Sequence, residues 1–215
     1  MSTGEKAAAG LSRREQNKAE RRDVILAAAA RLFGRGSYDK VQMDDVAVAA
    51  GIGKPALYRY FPSKEDLFLE VSDRALGELQ HALGEVERLG LPPEKMLARM
   101  VELLVDALRQ HFASLRLLSG EHPVLADRWR VLFRGRRRAI NASLADVLRR
   151  GAAAGEFRAV DPVIAPGMII GMIRGAVMEA PDIPNKRLAE AAIPLVLGGV
   201  SKTPASQQTG SRRRS

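Results

Sequence analysis

The chain has 215 residues, 46% of them hydrophobic, with a formal net charge of +9. That is enough apolar material for one large or two modest domains, and the positive balance favours a polyanionic partner, whether nucleic acid or an anionic membrane surface. With no cysteine there is no disulfide framework and no thiolate metal site. Residues 1–20 are charged and lack an apolar core, so a signal peptide is not expected and a cytoplasmic address is.

Met1 to Asn17 is small, polar and charged, and reads as a flexible basic arm leading to Arg13, Arg14 and Lys18, with order expected from about Ala19. Val24, Ile25, Ala28, Leu32 and Phe33 then recur at helical spacing, and Gly34 and Gly36 are expected to stop that helix. Val46, Ala47 and Ala50 line one face of a short second helix, Leu57 and Phe61 that of a third. Between them Gly51 suits a positive φ, Gly53 a helix start, and Pro55 a first turn whose amide has no helical partner anyway. The outcome is a helix-turn-helix over about 42–61, whose third helix is too short to bury itself.

Pro62 closes that unit, and Ser63 with Glu65 and Asp66 gives an N-cap and an acidic first turn to a long fourth helix running to Gly90. After Pro92-Pro93, Met96, Met100, Leu104 and Leu108 mark a further amphipathic helix, and Phe112 to Pro123 reads as a short helix between turns. A long helix is expected over about Ala126–Gly151, with Leu125, Trp129, Leu132 and Phe133 as one stripe and Ile140, Leu144, Val147 and Leu148 as a second. Arg134, Arg136, Arg137 and Arg138 interrupt the two stripes, as a solvated face or a second polyanion site.

Asp161-Pro162 opens a helix in which Gly167, Gly171 and Gly175 stack on one face. Each glycine costs about 1 kcal/mol against alanine in a helix, so three in register predict a neighbouring backbone at close approach. Arg174, Glu179 and Pro166 argue against a membrane span for this apolar run. Pro184 to Val200 forms the last helix, bent at Pro194, and 201–215 is a basic tail expected to be disordered. The class is all-α.

The segment from about Arg21 to Val71 resembles the tetracycline-repressor (TetR) family of bacterial transcriptional regulators. Phe33, Met43-Asp44-Asp45-Val46-Ala47, Ala50-Gly51-Ile52-Gly53-Lys54-Pro55, Leu57-Tyr58-Arg59-Tyr60-Phe61 and Ser63-Lys64-Glu65 carry the likeness. It implies a homodimer, with a three-helix DNA-binding domain at 18–70 and a larger effector-binding and dimerisation domain at 71–200 that pairs through its last two helices. Gly167, Gly171, Gly175, Leu188, Ala192 and Leu195 are then the expected dimer contacts.

A dimer of such units is expected to place its third helices in successive major grooves, with half-sites roughly 34 Å apart or a multiple of it. Lys54 or Arg59 is suited to a guanine edge, Ala56 or Pro55 to a thymine methyl, while Tyr60 and Lys64 are expected to hold phosphates. Packing is the alternative role for Tyr58 and Tyr60. At Gln42 the family usually carries Thr or Ser, so Gln42 either reaches a base or phosphate or leaves the second helix frayed. Asp44, an acid beside phosphates, is a further departure.

The resemblance also implies a small-molecule effector, and Met100, Leu104, Phe112, Trp129, Phe133, Met168 and Met172 are candidate pocket walls, with core packing the competing role. His81, His111 and His122 are too scattered for a metal site, no cofactor motif is present, and no nucleophile or acid–base constellation argues for an enzyme. The rival to a ligand-released repressor is a non-specific architectural DNA-binding protein, which would use the same basic ends without reading bases.

Overall fold

A computed structural model describes residues 13–35, 38–111, 116 and 122–201. Among them the elements are α1 (Arg13–Arg35), α2 (Met43–Ala49), α3 (Lys54–Tyr60), α4 (Lys64–Arg88), α5 (Pro93–Gln110), α6 (Pro123–Leu132), α7 (Arg134–Ala153), α8 (Ile164–Glu179) and α9 (Asn185–Val200). The fold is all-α, with one isolated antiparallel bridge between Phe157 and Ser201.

Two compact units emerge, one comprising Met1–Glu78 with Ala107–Gly135 and the other Leu79–Asp106 with Arg136–Ser215. The first takes in α4 as far as Glu78, the last residues of α5, and α6, with Leu67, Phe68, Leu69 and Val71 of α4 and Leu125, Ala126 and Trp129 of α6 sharing its core. Ile25, Phe33, Leu57, Phe61 and Phe68 form the centre of that core, and Leu125, Ala126, Trp129 and Phe133 complete it. Phe33 meets Phe68 edge-on, with centroids 5.1 Å apart, the geometry that aromatic quadrupoles favour.

In the second unit, Leu83, Met100, Leu104, Leu144, Val147 and Ile173 are buried, and α8 lies against α9. Gly151 is required there by space: a Cβ on it would lie 2.0 Å from the Phe157 ring. Arg158 fastens the end of α9, its amide donating to Val200 O at 2.7 Å and its Nε to Gly199 O at 2.7 Å.

Three boundaries differ from those expected. α1 begins at Arg13, so Arg13, Arg14 and Lys18 are helical; strong helix formers with Glu15 in the first turn carry it there without burying anything. Gly34 does not stop α1. Its missing side chain accommodates the Gln110 carbonyl, which a Cβ would approach to 2.6 Å. The helix expected over 126–151 is two, broken at Phe133, whose amide caps Trp129 O while its ring enters the first unit's core. Gly36, Phe112, most of the short helix expected at 112–123, the N-terminal residues 1–12 and the tail from 202 lie outside the described residues.

Candidate nucleic-acid interface

α2 ends in a Schellman arrangement. Gly51 takes φ 65°, its amide donates to Val48 O at 3.1 Å, and the Ile52 amide donates to Ala47 O at 3.0 Å. Carbonyls that would otherwise go unpaired are thereby satisfied within the turn, and Ile52 packs on the core. Gly53 then supplies the N-cap backbone of α3, with Pro55 in the first turn. Leu57 is fully buried beneath α3, so the opposite face, with Lys54, Pro55, Tyr58 and Arg59, is left outward.

The far end of α3 is held by Arg22. Its guanidinium is bidentate to Glu70, with Nε to Oε1 at 2.6 Å, donates to Tyr60 O at 3.3 Å and lies 4.5 Å above the Phe61 ring. Fork geometry and the aromatic face are both used, which suits arginine over lysine. Ser63 then starts α4 as a capping residue: the Asp66 amide donates to Ser63 Oγ at 3.0 Å, and that hydroxyl donates to Asp66 Oδ2 at 2.7 Å.

The expected contact residues fall into three environments. Arg59 and Tyr58 are exposed and face outward beside Pro55, with Ala56 half-buried. Lys54 is exposed and pairs with Asp44 at 2.8 Å; the hydrogen bond to that carboxylate raises its pKa, so the acid expected to face phosphates is matched by the neighbouring helix. Tyr60 and Lys64 are turned inward: Tyr60 packs on the core, and Lys64 Nζ donates to Tyr38 O and Val41 O, both at 3.2 Å, while sitting 4.4 Å above the Tyr38 ring.

Burial, with smaller contributions from Glu65, Asp39 and Asp66, pushes the Tyr38 phenol up, which keeps that ring neutral under the ammonium. His122 flanks Tyr38 edge-on, with centroids 5.2 Å apart, and meets Asp39 at 2.8 Å. Gln42 occupies the N-cap position of α2 without a side-chain cap; its amide folds back to donate to Asp39 O at 3.3 Å.

Arg22, Tyr38 and the Asp44–Lys54 pair were not legible as positioning groups, since their partners lie on other elements. The Ser63 cap was, because it is local.

The candidate pocket walls are divided between the two units, and Phe112 is outside the described residues. Met100 and Leu104 are buried in the second unit, Trp129 and Phe133 belong to the first unit's core, and Met168 and Met172 are exposed on α8. Methionine and aromatic periodicity marks apolar faces and does not say whether core, ligand or another chain will cover them. The expected dimer contacts divide similarly. A Cβ on Gly167, Gly171 or Gly175 would meet nothing within 4 Å and Leu195 is 67% exposed, but Leu188 and Ala192 are buried within the subunit. Among the described residues no group of three or more metal-ligating side chains gathers, and no helix is long and apolar enough to cross a membrane.

A buried helical core carrying a rigid turn and a short, outward, basic helix defines a helix-turn-helix DNA-binding protein. Residues 25–71 match the model of bacterial regulatory proteins of the tetR family, and residues 90–178 that of a tetracyclin repressor-like C-terminal domain. The chain is similar to the HTH-type transcriptional activator FasR of Mycolicibacterium smegmatis, 26% identical over 95% of this chain and 94% of that one. It is 32% identical to the HTH-type transcriptional regulator EthR of the same species over 45% of each chain. Among solved structures it resembles the TetR-family regulator PfmR of Thermus thermophilus, 30% identical with TM-score 0.66 over 83% of this chain and 99% of that one. The chain belongs to the TetR family of DNA-binding, ligand-responsive transcriptional regulators.

Proposed function

We propose that this protein is a homodimeric repressor of a near-palindromic operator, released by a small apolar or amphipathic ligand. The observation that carries the reading is the outward set Lys54, Pro55, Tyr58 and Arg59 on a helix fixed at both ends, by the Gly51 turn and by Arg22. A reader of base edges needs such fixation, since specificity rests on hydrogen-bond geometry that a mobile helix would blur. Arg59 reads the groove floor and Lys54 the nearest backbone or base edge, with Asp44 limiting Lys54's freedom.

Pairing is proposed through α8 and α9. Gly167, Gly171 and Gly175 leave room for close backbone approach, and Met168, Met172 and Leu195 supply apolar area beside them. Ala191, Pro194, Gly198 and Gly199 are the exposed neighbours of Leu195 on α9 and take the place of Leu188 and Ala192 in this contact.

The effector is proposed to bind in the second unit, beside Met100 and Leu104. Glu87 Oε1 is buried there without a hydrogen-bond partner among the described residues, a group that the polar end of an amphipathic ligand would satisfy. α4 is continuous from the Ser63 cap to Arg88, so a ligand that prefers one α4 orientation shifts the population of α3 orientations. A hundredfold loss of operator affinity needs about 2.7 kcal/mol of differential binding.

A gel-shift titration on the gene's own upstream DNA tests the reading. The expected result is a complex with two subunits per operator, preferred over unrelated DNA by roughly a thousandfold, with transcription from that DNA falling on addition of protein. A complex without sequence preference would point to an architectural protein, and increased transcription to an activator.

A further inference from the structure

We propose that the cavity walled by α1, the middle of α4 and the end of α5 is a second ligand site, one that takes an organic oxyanion, carboxylate or phosphate, with a compact apolar body. All of its lining belongs to the first unit, so it is distinct from the effector site placed in the second.

The cavity has a volume of about 530 Å³, within the range that small-molecule sites occupy. Its floor is apolar, with Leu26, Val71 and Ala75 buried. Its walls carry Arg31, Arg35, Arg74 and Arg109 against one acid, Glu78. Arg74 is already engaged, spanning Asp23 on α1 at 2.7 Å and Glu78 at 2.9 Å. Arg31 and Arg35 are exposed and form no ion pair among the described residues.

Those two guanidiniums stand four residues apart on the same helix, where like charges repel. An oxyanion between them removes the repulsion and accepts the paired N–H groups that guanidinium presents in a fixed fork. Burial lowers the pKa of His111, so the inner wall stays neutral near pH 7 and positive charge is confined to the arginines. Charge at the mouth over an apolar floor selects a molecule that is itself divided that way. Held there, it would tie α1 to α4 within the unit that carries the DNA-reading helices.

Calorimetric titration of the full-length protein with octanoate, octyl phosphate and octan-1-ol tests this. At least one of the two anions is expected to bind about tenfold or more tightly than the alcohol, the equivalent of one charge-assisted contact; which of them binds identifies the head group. The double variant R31A/R35A is expected to lose that preference. A27W, which fills the cavity from an exposed position on α1, is expected to abolish binding. Thermal melts of both variants establish that they fold, and R31A/R35A, altering exposed side chains alone, carries the test if A27W does not. Equal binding of alcohol and anions, no binding of either anion, or unchanged affinity in a folded R31A/R35A overturns the proposal. Operator gel shifts without ligand keep the outcomes separate: a protein that shifts its operator but ignores both anions retains its regulatory reading and loses this one.

Discussion

Around α3 the outward groups are Lys54, Tyr58 and Arg59, polar ends on a helix whose other face is pinned by Leu57, Phe61 and the Arg22 clamp. Along α8 and α9 the outward groups are Met168, Met172, Leu195 and a line of glycines, carried by helices that also bury Ile173, Val177 and Val196. Both surfaces are short helices with one face spent on a core. What remains outward differs: long, charged, hydrogen-bonding side chains on one, small or apolar ones on the other. The first surface loses little in water and gains only when a structured polyanion arrives. The second is exposed apolar area of the kind that soluble proteins normally cover.

The largest expected effect comes from removing the support of the first surface. Phe61→Ala deletes a ring that is 1% exposed and on which Arg22 rests, so urea unfolding should show a loss of about 3–5 kcal/mol. Operator binding should vanish with it. An intact gel shift in this variant would mean that α3 is positioned by something other than its core face.

Leu195→Glu addresses the second surface alone. The side chain is 67% exposed, so the subunit should fold as before while light scattering reports a monomer. Without the linked second half-site, operator affinity should fall by about a hundredfold or more, since linkage supplies gains of that order. A dimer of unchanged mass would move the pairing surface off α9.

Arg59→Ala tests the reading surface with its scaffold untouched. The expected cost is about 1–3 kcal/mol at the preferred operator and much less on operators altered at the base it contacts. A uniform loss across all operators would reassign Arg59 to phosphate.

The comparison also explains what could be read from the chain. The Gly51 turn, the Gly53 and Pro55 start of α3 and the Ser63 cap were legible because each depends on residues within a turn or two of one another. Arg22 with Glu70 and Tyr60, and His122 with Asp39, were not, because the partners are far apart in sequence and surface charges carry no record of whom they meet. Trp129 and Phe133 show the same limit for apolar residues. Their spacing predicted a stripe with Leu125 and Leu132; Leu125, Trp129 and Phe133 complete the first unit's core, but Leu132 is 55% exposed, because the helix breaks at Phe133. The start of α1 was missed for a simpler reason: apolar periodicity begins at Val24, about three turns after the helix does.

Lys64 yields the smallest effect on DNA and the most instructive one. Its position after Ser63 suggested a phosphate contact, yet two of its three N–H donors serve Tyr38 O and Val41 O. It thereby holds the segment leading into α2. Lys64→Ala should cost about 1–3 kcal/mol in urea unfolding, the worth of charged hydrogen bonds lost from carbonyls, while operator affinity falls little and equally on every sequence. The salt dependence separates the roles. A residue that neutralises a phosphate contributes about 0.9 to the slope of log K against log salt, so an unchanged slope assigns Lys64 to the scaffold. A slope lowered by that amount assigns its third donor to the DNA backbone, and would extend the reading surface from α3 onto the start of α4.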